Sequence, residues 1–236
     1  MATADRSPRR IGTLGLQHLV ERFTRLGIDP SVIGVPAQDT PSVRQHDALE
    51  LAANRIPDRF YDAEADHPQV LAWVEHVKQA ARRGPEGTLG IARADSLLLL
   101  GETGTGKTHQ AYGAIRTLLR EGVRLRWRAV SSVTFHATMR PRPGINTERE
   151  MRDLETIPLL LLDDLGAAKA SEFTEEITYR LVDYRYQHRL PTLITSNIVP
   201  AELAAFLGDR SASRLRQMCR KTVLDGFDRR RAPLDH

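Results

Sequence analysis

Only one cysteine, Cys219, stands in the 236 residues. No disulfide can close within the chain, and no cysteine-rich zinc module can form. The eight histidines are scattered, none paired at ligand spacing with a cysteine or a second histidine on one face. Long apolar runs are missing too, and the longest are far too short to span a bilayer. The first residues, "MATADRSPRRIGTLGLQHLV", are basic but lack the apolar centre of a signal peptide. Internal repeats and low-complexity segments are also absent. These absences exclude a disulfide scaffold, a zinc finger, a membrane protein and a solenoid, and they predict a cytoplasmic protein.

What remains is ordinary globular composition, 41% hydrophobic and 27% charged, in a chain long enough for one α/β domain and a small appendage. The net charge of +4 suits a nucleic-acid partner and equally an ordinary solvated surface. Near the start, Leu16, Leu19, Val20, Phe23 and Leu26 recur at helical spacing up to Gly27. A proline-rich stretch follows, and "SVRQHDALELAANRI" suits a second short helix. Residues 1–55 therefore read as a small helical appendage with a linker, and 56–236 as the main domain. In the latter, short apolar strands alternate with helices: "HPQVLAWVEHVKQAARRG" (helix), "SLLLLG" (strand), "KTHQAYGAIRTLLREG" (helix), "VRLRWRAVSSV" and "PLLLLDD" (strands). Then come "SEFTEEITYRLVDYRYQHR", a helix with Ser171 as its N-cap, and the strand "PTLITSN". The pattern predicts a parallel β-sheet flanked by helices on both faces.

"GETGTGKT", Gly101 to Thr108, is a complete G-x-x-x-x-G-K-[ST] phosphate loop between a buried strand and a helix. Gly101, Gly104 and Gly106 let the loop curl, with Thr105 between them, so that backbone N–H groups cradle phosphates at a helix N-terminus. Lys107 reaches the β- and γ-phosphates of ATP and the Thr108 hydroxyl ligates Mg²⁺. Adjacent carboxylates after four leucines, Asp163 and Asp164, cost stability unless a cation or proton-transfer chemistry uses them. Asp163 is assigned to Mg²⁺, directly or through water, and Asp164 to the attacking water. An aspartate there is one methylene shorter than a glutamate, so hydrolysis should be slow or partner-stimulated. Asn197, ending the strand "PTLITSN", is placed to position the water or sense the γ-phosphate. Arg210 and Arg214 share a helix face in "GDRSASRLRQMC". Arg214, or else Arg210, is the candidate arginine finger given to a neighbouring subunit.

"GETGTGKT", "LLLLDDLG", "RLPTLITSN" and "GDRSASRLRQ" follow one another in an order that resembles the DnaC/DnaI-type helicase loaders and their IstB relatives, within the AAA+ class. "RIPDRF", Arg55 to Phe60, looks like the segment opening the ATPase domain in that family, and the likeness covers about residues 55–228. It implies an AAA+ core without a C-terminal lid domain, ATP and Mg²⁺ as cofactors, and slow ATP hydrolysis. It also implies homo-oligomerisation through the arginine finger and contact with single-stranded DNA. The implied partner is a DnaB-type replicative helicase gripped by the N-terminal region. The chain end "VLDGFDRRR" resembles phage and actinobacterial members.

Arg140, Arg142, Arg149 and Arg152 offer either a DNA-contacting insertion or a solvated surface, and Phe135 and His136 either stack on bases or belong to the core. An IstB-like ATPase serving a transposase on duplex DNA shares every motif. A small-molecule kinase would need an acceptor pocket and an arginine-bearing lid, and a switch would hold ATP without useful turnover.

Overall fold

The structure is a computed structural model and describes residues 52–83, 89–91, 93–144 and 146–225. The chain divides into two units, residues 1–44 and 45–236, and every described residue lies in the second. The helical region expected over residues 1–55 falls outside the described residues except for 52–55.

Helix α1 spans Pro68–Ala80, with Pro68 at its first position and His67 accepting the Gln69 N–H at its start. Val70, Trp73, Val74 and Val77 are its buried face, the i, i+3, i+4, i+7 stripe that the spacing predicts. A short 3-10 helix, Asp58–Phe60, precedes α1, and after α1 come β1 (Arg82–Arg83), β2 (Leu89–Gly90), β3 (Ser96–Leu100), α2 (Lys107–Arg120), β4 (Val123–Arg124), β5 (Trp127–Ser131) and α3 (Ser132–Met139). They continue with α4 (Thr147–Thr156), β6 (Leu159–Asp163), α5 (Glu172–Gln187), β7 (Thr192–Ser196), α6 (Leu203–Met218) and β8 (Cys219–Val223). Ser171 caps α5 in a reciprocal capping box with Thr174, as expected of that residue.

Five strands form the central sheet in the order β5-β6-β7-β3-β8, and every neighbouring pair is parallel. The leucine runs are buried on both sides. Leu97, Leu99, Leu159, Leu161 and Leu193 pack with α1 and α2, while Leu98, Leu100, Leu160, Leu162 and Ile194 pack with α3 to α6. This is the helix-covered parallel sheet read from the sequence. Among the described residues α6 runs directly into β8, which pairs with β3, and no helical lid domain follows. No helix of the described residues is long and apolar enough to cross a membrane.

"VRLRWRAVSSV" is not one strand. Its first residues, β4, pair with β2 in a small three-stranded sheet, and β5 pairs with β6. Ser132 and Val133 already belong to α3, because the Ser131 hydroxyl accepts the Thr134 N–H (3.1 Å) and caps that helix.

Two polar devices fix the parts that shape the site. Residues 63–67 lie across α2: the Asp66 and His67 N–H groups both donate to the Gln110 amide oxygen (3.2 Å each). Behind the sheet, buried Arg185 donates to the carbonyls of Leu154 (2.9 Å), Ile157 (2.8 Å) and Pro191 (2.8 Å) and to the Thr192 hydroxyl (2.8 Å). Burial pushes its pKa down to about 9, so it is still charged at neutral pH. It ties the end of α4 to the start of β7.

Candidate active site

The parallel register brings the carboxyl ends of β3, β6 and β7 to one edge of the sheet. The loop after β3 carries Gly101, Gly104 and Gly106 at φ of 150°, 91° and 90°, conformations that a side chain would strain. Gly106 is the N-cap of α2 and supplies no side-chain cap, which leaves the N–H groups of the first turn to an anion. Lys107 is buried, and its ammonium donates to the carbonyls of Gly101 (2.9 Å) and Glu102 (2.7 Å), closing the loop around the cation.

Asp163 ends β6 beside this loop. Its Oδ1 accepts from the Thr108 hydroxyl (2.9 Å) and the Thr195 hydroxyl (2.6 Å). Asp164 leaves the strand at φ 58°, a left-handed conformation uncommon outside glycine. Both its backbone groups are held: its N–H donates to Thr195 Oγ1 (2.8 Å), and its carbonyl accepts from the Ser132 hydroxyl (2.6 Å). At the next residue, Leu165 N–H donates to the Thr195 carbonyl (2.8 Å), and Ser196 Oγ donates to the Leu165 carbonyl (2.7 Å).

A cleft of about 610 Å³ opens here, lined by Gly104, Gly106, Lys107, Thr108, Asp163, Asp164 and Asn197 together with Arg59, Phe60, Thr103 and His109. Gly101 and Thr105 are not in its lining. They shape the loop from behind, Thr105 through its hydroxyl on the Glu102 carbonyl (2.9 Å). Phe60 stacks on Tyr112 (4.7 Å between centroids), which in turn meets the Trp127 ring edge-on (6.2 Å). Burial, with the Asp163 charge second, pushes the Tyr112 phenol up to about 12.

Sequence reasoning missed Arg59, Phe60, Thr195 and Ser132 as parts of this site. Thr195 had a usable signal, since it lies two residues before Asn197 on an alternating strand. Ser132 had none, because only the β5–β6 pairing brings α3 beside Asp164.

Arg210 and Arg214 do not line this cleft. Both lie on α6, which is kinked at Gly208, and face α5. Arg214 donates to Asp183 (2.8 Å) and lies over the Tyr186 ring (4.5 Å), whereas exposed Arg210 is 5.9 Å from the Tyr179 ring. Arg140, Arg142, Arg149 and Arg152 are exposed, around the connection from α3 to α4. Phe135 and His136 are in the core, with His136 Nε2 bonded to Thr178 Oγ1 (2.8 Å), so neither is available for stacking on bases.

Oxygen donors, one hydroxyl and one carboxylate within a hydrogen bond of each other, suit a hard divalent cation. Among the described residues no group of three or more His, Cys, Asp or Glu could hold a metal ion. A cation held by Thr108 and Asp163 would therefore complete its shell with phosphate oxygens and water, which is the usual manner of Mg²⁺.

Residues 86–218, more than half of the chain, match the family of IstB-like ATP binding proteins. The chain is a member of that family. This IstB-like protein is 29% identical to the replicative helicase loader DnaC of Escherichia coli (strain K12) over 123 residues, 51% of this chain and 50% of the relative. It spans about half the length of the curated relatives it matches. Among solved structures, the DnaC helicase loader superposes with a TM-score of 0.57 at 20% identity, covering 72% of this chain and 100% of the other. DnaI gives 0.56 at 20% identity, covering 78% and 92%. These structural likenesses show the fold that the IstB-like chain shares with the DnaC helicase loader and DnaI.

Proposed function

We propose that this chain is an ATPase that loads a hexameric replicative helicase onto single-stranded DNA. The observation that carries the reading is the joining of Thr108 and Asp163 across the cleft beside the Lys107 loop (2.9 Å), in a chain whose curated relatives include helicase loaders. In this reading the loop N–H groups and Lys107 bind the ATP phosphates, and Thr108 and Asp163 hold Mg²⁺. When bound, that ion neutralises charge on the phosphate oxygens. Asp164 orients the attacking water and accepts its proton, and Asn197, exposed at the end of β7, contacts the γ-phosphate side. The aspartate's short reach makes turnover slow until a partner completes the site.

That completing group is an arginine of a second copy. Arg210 is the better placed of the two, because Arg214 would first have to give up Asp183 and Tyr186 in its own chain. The exposed Arg140 and Arg142 after α3 and Arg149 and Arg152 on α4 supply the phosphate contacts to single-stranded DNA, with an affinity that falls steeply with salt.

The second reading, an ATPase serving a transposase on duplex DNA, is favoured by the family's IstB-like description. Capture experiments separate the two. The chain with ATP and Mg²⁺ should retain a hexameric replicative helicase and prefer single-stranded DNA. Retention of a transposase and of duplex DNA instead, with no helicase bound, would replace the first reading with the second.

A further inference from the structure

We infer that Thr195 is a positioning residue that aligns the metal-side and water-side aspartates through a single hydroxyl. The inference rests on the roles proposed above for Asp163 and Asp164. Thr195 is fully buried on β7, and the β6–β7 register, which pairs Leu162 with Ile194, sets it level with Asp163. By strand alternation Asp163 continues the Leu159–Leu161 side of β6, and Thr195 continues the Leu193 side of β7. Both therefore fall on the α2 face of the sheet, where Thr108 stands.

A hydroxyl has one proton to give. Thr195 Oγ1 gives it to Asp163 Oδ1 (2.6 Å) and so meets the Asp164 N–H (2.8 Å) as an acceptor. The direction of both bonds is set by the partners, because a carboxylate can only accept and an N–H can only donate. Moving the Asp163 carboxylate therefore moves the anchor of the Asp164 backbone. Asp164 needs that anchor, since φ 58° is a conformation that a non-glycine residue holds only when its surroundings over-determine it. The branched Cβ of threonine also keeps the hydroxyl in few rotamers, which a serine does less firmly.

Thr108 reaches Asp163 alone, and Ser132 reaches only the Asp164 carbonyl.

The test compares Thr195→Val, which keeps the shape and removes the hydroxyl, with Thr195→Ser, which keeps the hydroxyl. Three quantities are measured on the full chain: melting temperature, affinity for a fluorescent ATP analogue across a Mg²⁺ titration, and steady-state turnover. For Thr195→Val the expectation is nucleotide affinity in EDTA within about twofold of wild type and a Mg²⁺ requirement raised about fivefold or more. Its kcat should fall about tenfold or more with little change in KM, as for loss of a hydrogen bond to a charged group. Thr195→Ser should recover most of both losses.

Wild-type Mg²⁺ dependence and turnover in Thr195→Val would overturn the inference. So would equal impairment of both variants with a lowered melting temperature, the signature of a merely structural strand residue. Asp164→Asn is measured alongside. If it loses turnover while Thr195→Val does not, only the positioning role fails. If Asp164→Asn retains full turnover, the hydrolytic role of Asp164 fails, and the Mg²⁺ titration still decides whether Thr195 positions Asp163.

Discussion

Gly113 sits in the middle of α2, where replacement by alanine ordinarily stabilises a helix by about 1 kcal/mol. Here the sign should reverse. A Cβ at Gly113 would overlap the backbone of Ala65 and Glu64, with the Glu64 carbonyl oxygen at 2.9 Å. The obstacle is main chain, so no rotamer change relieves it, and overpacking of this kind costs about 1–3 kcal/mol. If the segment lifts to escape, it also strains the Asp66 and His67 bonds to Gln110 and the Arg116 bond to the Ala63 carbonyl. Each such bond is worth about 1 kcal/mol net. Subtracting the helix gain leaves a loss of about 2 kcal/mol, or a melting temperature about 4–8 °C lower for a domain of this size. The same segment leads back to Phe60 and Arg59 in the cleft, so ATP-analogue affinity should fall as well. Urea denaturation and a fluorescent-nucleotide titration of Gly113→Ala check both effects. A variant at least as stable as wild type, with unchanged affinity, would refute the close-approach argument.

His136 provides a pH prediction. Burial lowers its pKa below 6.5, backbone contacts with Thr174 and Ser132 offset this only in part, and Arg140 lowers it further. The unfolded chain then binds the proton more readily than the folded one. The associated stability is fully present above about pH 6.5 and is lost as pH falls through the folded value. The urea midpoint should drop between pH 7 and 5, and His136→Gln should flatten that slope. The two arginines of α6 should separate by their effects. Arg214→Ala should lower the melting temperature, because it breaks the bond to half-buried Asp183, whereas Arg210→Ala should leave it unchanged. Mixed into wild type, Arg210→Ala should depress turnover more than in proportion to its share, and strictly proportional turnover would remove it as the finger.

Much of the site was legible because its parts are local. A phosphate loop needs glycines, a lysine and a hydroxyl within eight consecutive residues, and the strand and helix around it announce themselves by runs of apolar side chains. The helix α1 face, the Ser171 cap and the strand ends bearing Asp163 and Asn197 were legible for the same reason: each depends on spacing within one element. "VRLRWRAVSSV" misled because alternation alone does not say which partner each half pairs with, or that Ser131 will cap a helix.

The amino-acid sequence by itself determined the chemistry on offer, a glycine-rich loop with a lysine and a hydroxyl beside two carboxylates, and the sheet that would carry it. Only the tertiary structure decided how those groups are held. Thr195 between the two aspartates, Ser132 on the Asp164 carbonyl and residues 64–65 pressed against Gly113 join residues 31 to 49 positions apart. Such contacts are set by strand register and backbone approach rather than by local pattern, so no window of the sequence contains them.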